Sequence, residues 1–518
     1  MTLYELWLNS STLVPELILA VTLCVVIVLD MFTPLARSRV VCGTLALVGT
    51  AWALYALLGY PHAAIWRTPP NNPMAFQCLI VQDSLALYFK LLFLLGGGAT
   101  VLFSMRSRET AGYRQGEYYA LLLGAILSAC LLVASNNFIM FVLALETLSM
   151  CSYVLAGFIK HERRSAEAGL KYMLYGAVAS GVMLFGISYL YGMTGTLDIV
   201  DAMRFFTSRV DSIGRAVFIS DFSSQIMPLL LTIVLVLVGI GFKMAMVPFQ
   251  FWCPDVYQGA PTPVTAFLAV VSKAAGFGAL LRVLLPLFYG TGAVVARGLN
   301  LPLLFGILAV ATMTFGNLAA IRQTDVKRLL AYSSIAHAGY ILMGFTVYSA
   351  ESLQAMLFYF FVYLFMNLGA FWVVIVLINR LGSPELSRWR GAALKAPFLF
   401  VLMFICLISL TGIPPTAGFI GKLLLFKVVL GAGISAMQNG AMTPVATAYI
   451  ALAVIGVLNS AVSLFYYMKI AKAMVFDRAE DDAPLGVDAV DGVYALLFAG
   501  PTLALFFFFT PILRLIGL

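Results

Sequence analysis

Six lysines, Lys90, Lys171, Lys243, Lys273, Lys422 and Lys427, fall inside stretches of almost unbroken apolar residues, with few acidic residues near them, chiefly Glu16, Asp30 and Glu146. An isolated charge at the centre of a bilayer costs roughly 2.5 to 3.5 kcal/mol on insertion scales. Each amine therefore needs a partner, water or a neutral state, and burial favours the neutral state of a lysine. A buried amine beside a movable carboxylate switches between its two protonation states. That switch is the element from which a proton relay is built.

Glu146 lies in FVLALETLSMCSY and is read as the acidic partner of Lys243; hydrogen bonding to nearby Ser and Thr for helix packing is the alternative. Lys243 stands five residues before Pro248 in GFKMAMVPFQFWCPDVYQGAPTPV. A proline there interrupts a helix and frees carbonyls one turn back. Irregular backbone at membrane depth is tolerated only against protein or a watery cavity, so a mid-membrane polar cavity is expected beside Lys243. Snorkelling toward the cytoplasmic face is the alternative. Asp255, inside the interrupting loop, is expected to cap a helix end or anchor the loop.

Lys273 sits about ten residues, or about 15 Å of helical rise, into the next span, near the midplane. Its neighbours Ala274, Ala275, Gly276 and Gly278 allow close helix approach. Lys422 follows a second break, SLTGIPPTAGFIGKLLLF, where Pro414 and Pro415 cannot both continue a helix. The second broken span comes five spans after the first, and an odd offset reverses direction across the membrane. Two such breaks with opposite polarity are the trace of an inverted repeat.

His337, in LLAYSSIAHAGYILMG, has the ordinary titration range for proton transfer, although Ser333 and Ser334 would equally serve it as packing partners. Lys171, four residues after Glu167, is either a relay group or half of a helix-stabilising pair. Lys90 and Lys427 are read as structural.

These residues need a scaffold, and the composition supplies one. The chain has 518 residues, 62% hydrophobic and 10% charged, with a mean hydropathy of +0.99. Soluble domains carry about 25% charged residues, so a soluble enzyme is excluded. Apolar runs give about fourteen spans centred near residues 22, 50, 92, 126, 148, 180, 238, 274, 312, 336, 366, 412, 458 and 504. The fold class is thus an all-α polytopic membrane protein. The first span, from about Leu13 to Asp30, reads as an uncleaved helix rather than a signal peptide.

The loops after spans 1, 3, 5, 9, 11 and 13 hold eighteen Lys and Arg, among them Arg37, Arg106, Lys160, Lys327, Arg388 and Lys469. The opposite side holds seven: Arg67, Arg204, Arg209, Arg215, Arg282, Arg297 and Arg514. The positive-inside rule then puts the richer loops in the cytoplasm and both termini on the outer side. The basic residues do not gather on one soluble face, so the net charge of +8 implies no nucleic-acid partner. Seven scattered cysteines without a CxxC pair offer neither an iron–sulfur nor a zinc site, and three histidines do not suit a membrane cytochrome.

The strings GFKMAMVPFQFWCPDVYQGAPTPVTAFLAVVSK, VKRLLAYSSIAHAGY and GIPPTAGFIGKLLLF resemble the antiporter-like membrane subunits of respiratory complex I, the proton-pumping NADH:quinone oxidoreductase, over essentially the whole chain. The wording PDVYQGAPTPV is similar to the N type (subunit 2). The M type is expected to carry Glu where this chain has Lys422. The L type adds a lateral helix after the last spans, whereas this chain stops at Leu518, just past the fourteenth.

The resemblance implies fourteen helices divided as 1–112 (three spans), 113–290 (spans 4–8), 291–478 (the inverted spans 9–13) and 479–518 (span 14). It implies Glu146 and Lys243 as an interacting pair, Lys273 as the central relay, Lys422 as the far-side terminal site, and His337 and Lys171 as further relay groups. It implies no cofactor and no metal on this chain, with NADH, FMN, iron–sulfur clusters and quinone on partner subunits. Lipids, the other membrane subunits and, through them, the peripheral redox arm are the expected partners. A bacterial inner membrane with periplasmic termini is the expected location, since no transit segment precedes the first span; an organelle inner membrane is the alternative. The rival function is the large subunit of a multi-subunit sodium/proton antiporter; a membrane scaffold without transport is a third.

Overall fold

The computed structural model describes residues 13–59, 74–75, 79–207, 220–288, 292–438, 444–477 and 486–516. Arg67, Arg209, Arg215, Arg478 and Cys78 lie outside the described residues, as do both chain termini. Thirteen of the described helices are long and apolar enough to cross a membrane, and two shorter apolar segments, Pro228–Met244 and Pro397–Thr411, lead into breaks. The protein is an all-α multi-pass membrane protein. Thirteen of the fourteen centres read from the sequence fall inside helices, and the remaining one, Gly412, lies in the second break.

Contacts divide the chain into two compact units, one comprising Met1–Met244 with Gly259–Asn300, the other Ala245–Gln258 with Leu301–Leu518. In the first unit, α1 (Val14–Phe32) and α2 (Leu35–Leu58) precede an antiparallel pair of two-residue strands, β1 (Met74–Ala75) and β2 (Ile80–Val81). Then come α3 (Ser84–Arg106), α4 (Gln115–Ala134), α5 (Phe138–Ala156), α6 (Arg163–Thr194), the short α7 (Ile199–Thr207) and α8 (Ser220–Met244). After the break lie α9 (Trp252–Gly259), whose residues up to Gln258 group with the second unit, and α10 (Thr262–Phe267). A single π-helical turn over Leu268–Ser272 joins α10 to α11 (Lys273–Leu284).

Helix starts follow from local chemistry. Asp83 accepts from the Ala86 amide at 2.9 Å to cap α3, and Asn137 accepts from the Ile139 amide at 2.9 Å to cap α5. The stretch Thr262–Phe288 is buried throughout its apolar window, whereas α1 and α2 turn Val21, Met31, Trp52 and Tyr55 outward. In water such faces would be costly; in lipid they are the expected exterior.

After α12 (Gly292–Gly298), the second unit holds α13 (Leu301–Ile321), α14 (Val326–Leu342), α15 (Ala350–Leu381), the one-turn α16 (Ala392–Lys395), α17 (Pro397–Thr411), α18 (Ala417–Gln438), α19 (Pro444–Val475), α20 (Ala489–Phe507) and α21 (Phe509–Ile516). Asp325 and Ser349 cap α14 and α15. The centre is α14 and α15, which are almost wholly buried.

Both breaks fall where the prolines place them. α8 ends at Met244, Ala245 adopts a left-handed backbone (φ 57°), and Val247–Pro248 is cis. α17 ends at Thr411, Gly412 is left-handed (φ 85°), and Pro414–Pro415 is cis. Glycine is required at 412 for a second reason, because a Cβ there would lie 2.8 Å from Cδ of Lys422.

Candidate functional site

The polar groups of the first unit gather where α8 stops. Lys243, in the last turn of α8, has no exposed surface. Its Nζ donates to Ser149 Oγ on α5 at 3.3 Å and lies 5.7 Å from the centroid of the Tyr172 ring on α6. The Tyr172 ring is held edge-on to Tyr153 at 4.7 Å. The free carbonyls at a helix C-terminus favour a cation, so the break itself helps to hold the ammonium.

Glu146 sits one turn before Ser149 on α5 and interacts electrostatically with Lys243. Among the described residues no ion pair within 4.0 Å joins the two, and Glu146 Oε1 is buried without a hydrogen-bond partner. The carboxylate and the amine therefore share a locality without being locked together. A loose pairing of this kind can change its separation without a hydrogen bond between the two having to break.

Lys273 opens α11 directly after the π turn and is 3% exposed. Such turns are frequent at functional positions because they re-aim one side chain without ending the helix. A Cβ at Gly276 would stand 3.2 Å from the Met244 amide nitrogen and 3.3 Å from Cβ of Lys243. Glycine thus lets the helix carrying Lys273 press against the end of the helix carrying Lys243. Lys171, by contrast, pairs with Glu167 at 2.7 Å on a half-exposed face of α6. The i,i+4 contact that the spacing allows is present there.

In the second unit Lys422, on α18, is 3% exposed, and oxygens surround it. Its Nζ donates to the carbonyls of Leu410 at 3.1 Å and Thr411 at 2.8 Å and to Ser460 Oγ at 2.9 Å. The Tyr340 ring centroid lies 4.4 Å away. The break at Gly412 releases the last carbonyls of α17, and the ammonium takes them up. A buried cation is thus accommodated by neutral dipoles.

His337, on α14, is 1% exposed. Its Nδ1 shares a hydrogen bond with Tyr359 Oη at 2.6 Å and its Nε2 another with Tyr467 Oη at 3.2 Å. A neutral imidazole donates through one nitrogen and accepts through the other, so the two hydroxyls play opposite roles and exchange them with the tautomer. Ser333 bonds Tyr467, and Ser334 donates to the Ala331 carbonyl at 2.8 Å. The stretch expected as a loop around Asp255 is instead the helix α9, and Asp255 pairs with Arg328 at 2.5 Å while Arg328 also donates to Gln258 at 3.1 Å, so both residues anchor that helix.

Sequence reasoning passed over two buried groups. Lys90, read as structural, has no exposed surface and pairs at 2.5 Å with Glu16, whose side chain is 4% exposed. Arg282, counted among loop charges, donates at 2.5 and 2.8 Å to both carboxylate oxygens of Asp83 and at 2.7 Å to the Val133 carbonyl. Burial pushes the Asp83 carboxyl up, but the guanidinium and the Ala86 amide outweigh it and hold the group below the usual carboxylate range. The sequence showed two opposite charges in apolar spans, Glu16 in the first and Lys90 in the third, but not that they meet. The tyrosines around His337 carried no signal, since aromatics are ordinary in apolar helices.

Residues 135–450 match the family described as NADH:quinone oxidoreductase/Mrp antiporter, TM. The chain is 40% identical over 472 residues to NADH-quinone oxidoreductase subunit N of Anaeromyxobacter sp., covering 89% of this chain and 87% of that one. It is 38% identical to NADH-quinone oxidoreductase subunit N 2 of Chloroherpeton thalassium, covering 97% and 93%. Among solved structures, a chain of respiratory complex I from Thermus thermophilus with bound aureothin superposes with a TM-score of 0.73 at 31% identity, covering 96% and 98%. A chain of the Mrp complex from Dietzia sp. reaches a TM-score of 0.79 at 21% identity, covering 98% and 96%, and shows the shared fold.

Proposed function

Because the chain belongs to the NADH:quinone oxidoreductase/Mrp antiporter transmembrane family, we propose that it is a proton-translocating membrane-arm subunit of an NADH:quinone oxidoreductase. The observation that carries this reading is that each helix break is matched with a buried lysine amine, Lys243 at the first and Lys422 at the second. The names of the relatives support the assembly, and the two polar clusters support the chemistry.

Redox work on partner subunits, which carry the NADH, FMN, iron–sulfur and quinone sites, moves charge or helices at the subunit boundary. Glu146 then withdraws from Lys243, the ammonium loses a stabilising charge, and its proton passes toward Lys273. In the second unit His337 and its two tyrosines form a proton-conducting group, and Lys422 exchanges a proton with the opposite side. Moving one charge against 100 mV costs about 2.3 kcal/mol, and one pKa unit is worth about 1.4 kcal/mol. A change of about two units per step therefore offsets the potential. The charge asymmetry of the loops supports an orientation with both termini on the outer side, which in a bacterial inner membrane is the periplasm.

Purification in mild detergent tests the assignment. An NADH-oxidising assembly containing flavin and iron–sulfur clusters supports it. Sodium-dependent transport by this chain with only small membrane partners overturns it in favour of a multi-subunit sodium/proton antiporter.

A further inference from the structure

The relay above leaves unused the most deeply buried ion pair among the described residues of the first unit. Lys90 on α3 and Glu16 on α1 meet at 2.5 Å with essentially no exposed surface, and Gln82 Oε1 accepts from the same amine. A buried ion pair seldom stabilises a fold on balance, because desolvation offsets the attraction. Nor is this pair saturated. Neither oxygen of Glu16 takes part in a well-directed hydrogen bond, and Gln82 Nε2 and Ser84 Oγ are buried with no partner. The remaining acceptor capacity of the Glu16 carboxylate and the unpartnered amide nitrogen of Gln82, whose oxygen accepts from the same amine, form a site that binds water, which needs two to four polar partners.

The cluster is placed to receive a proton from the relay. Glu16 is in the first turn of α1, and Lys90 lies six residues, about 9 Å of rise, inside the start of α3. On the topology proposed above, both helix starts are at the outer face. Phe89, adjacent to Lys90, packs on Gly278 of α11, where a Cβ would lie 3.4 Å from its ring. Lys273 is five residues, about 7.5 Å of rise, along that same helix.

We propose that Glu16, with Lys90 as its counter-charge, is a hydrated proton-binding site that gives the first unit its own outward terminus, fed from Lys273. A proton arriving through water from the Lys273 amine adds to a Glu16 carboxylate oxygen, and the same proton leaves to water at the outer face. No other bond changes. The inference rests on the reading of Lys273 as a relay group.

The test is NADH-driven proton pumping per electron in vesicles containing the whole complex. The variants are Glu16→Gln/Lys90→Gln, Lys273→Met and the three substitutions combined. The paired neutral variant leaves no unpaired buried charge, so a purely structural ion pair predicts normal assembly with wild-type pumping. The proposal predicts normal assembly with pumping lowered by the same fraction as in Lys273→Met, and no further loss in the combined variant. Wild-type pumping in Glu16→Gln/Lys90→Gln beside a deficient Lys273→Met overturns this site alone. Undiminished pumping in Lys273→Met overturns the relay on which it rests. Should the paired variant not assemble, Glu16→Asp keeps both the acid and the pair. It should shift a carboxylic-acid carbonyl band in turnover-induced infrared difference spectra, and an unshifted spectrum overturns the proposal.

Discussion

Replacing Lys422 by Met separates what the amine does for the fold from what it does for transport. Three hydrogen bonds are lost, to Leu410 O, Thr411 O and Ser460 Oγ. Bonds from a charged donor contribute about 1.5 to 3 kcal/mol each. Against this, the variant no longer buries an ammonium, a cost of roughly 2.5 to 3.5 kcal/mol on insertion scales. The Thr411 carbonyl keeps the Ser460 hydroxyl at 2.7 Å, so it is not stranded. The Leu410 carbonyl loses its lysine donor, and a stranded buried acceptor costs about 1 to 3 kcal/mol. The Met side chain still packs against Gly412. On these ranges the three lost bonds outweigh the relief of burying no ammonium by about 1 to 6.5 kcal/mol, and the stranded carbonyl adds to this, so the amount of assembled complex is measured beside pumping. On the proposed function, transport in contrast loses the acid–base group held at the second break. Membrane vesicles oxidising NADH should show near-normal electron transfer with a reduced rate of dye-reported acidification per electron. Lys422→Arg keeps the charge and donors but does not release a proton, so it should assemble better than Lys422→Met and pump no better. Wild-type pumping in both variants would refute the reasoning.

Three further outcomes follow from packing and charge. Gly276→Ala places a methyl group 2.9 Å from Met244 Cγ and 3.2 Å from its amide nitrogen, forcing the helices carrying Lys243 and Lys273 apart; overpacking of this kind costs about 1 to 3 kcal/mol. Thermal unfolding of the purified complex should shift down and pumping should fall, whereas Gly181→Ala, which meets nothing within 4 Å, should leave both unchanged. Arg282→Met strands the buried Asp83 carboxylate and should cost about 3 to 5 kcal/mol, visible as loss of assembled complex. Because Asp83 is held below its ordinary range in the folded state, its contribution is fully present above about pH 3.9 and is lost as the pH falls through the folded value. The wild type should therefore lose stability on strong acidification by a component that Asp83→Asn lacks.

The spans were legible because a bilayer imposes runs of about 20 apolar residues whatever the tertiary contacts. The breaks were legible because Pro248 and the Pro414–Pro415 pair exclude a continuous helix. Lys243, Lys273 and Lys422 stood out for the same reason, as charges in the wrong solvent. What stayed hidden depends on which helix faces which. Glu16 and Lys90 are 74 residues apart, and only packing of the first helices reveals them as a pair. Tyr359 and Tyr467 resemble any other aromatic in an apolar helix until His337 is set between their hydroxyls. The π turn before Lys273 leaves no mark in VVSKAAG. Lys171 shows the converse, since its Glu167 neighbour at helical spacing predicted the contact that exists.

The measurement that bears most directly on the account is the number of protons pumped per electron by the assembled complex carrying Lys243→Met, compared with wild type at equal NADH oxidation. The account predicts a lower ratio with assembly retained, and an unchanged ratio in a fully assembled variant would contradict it.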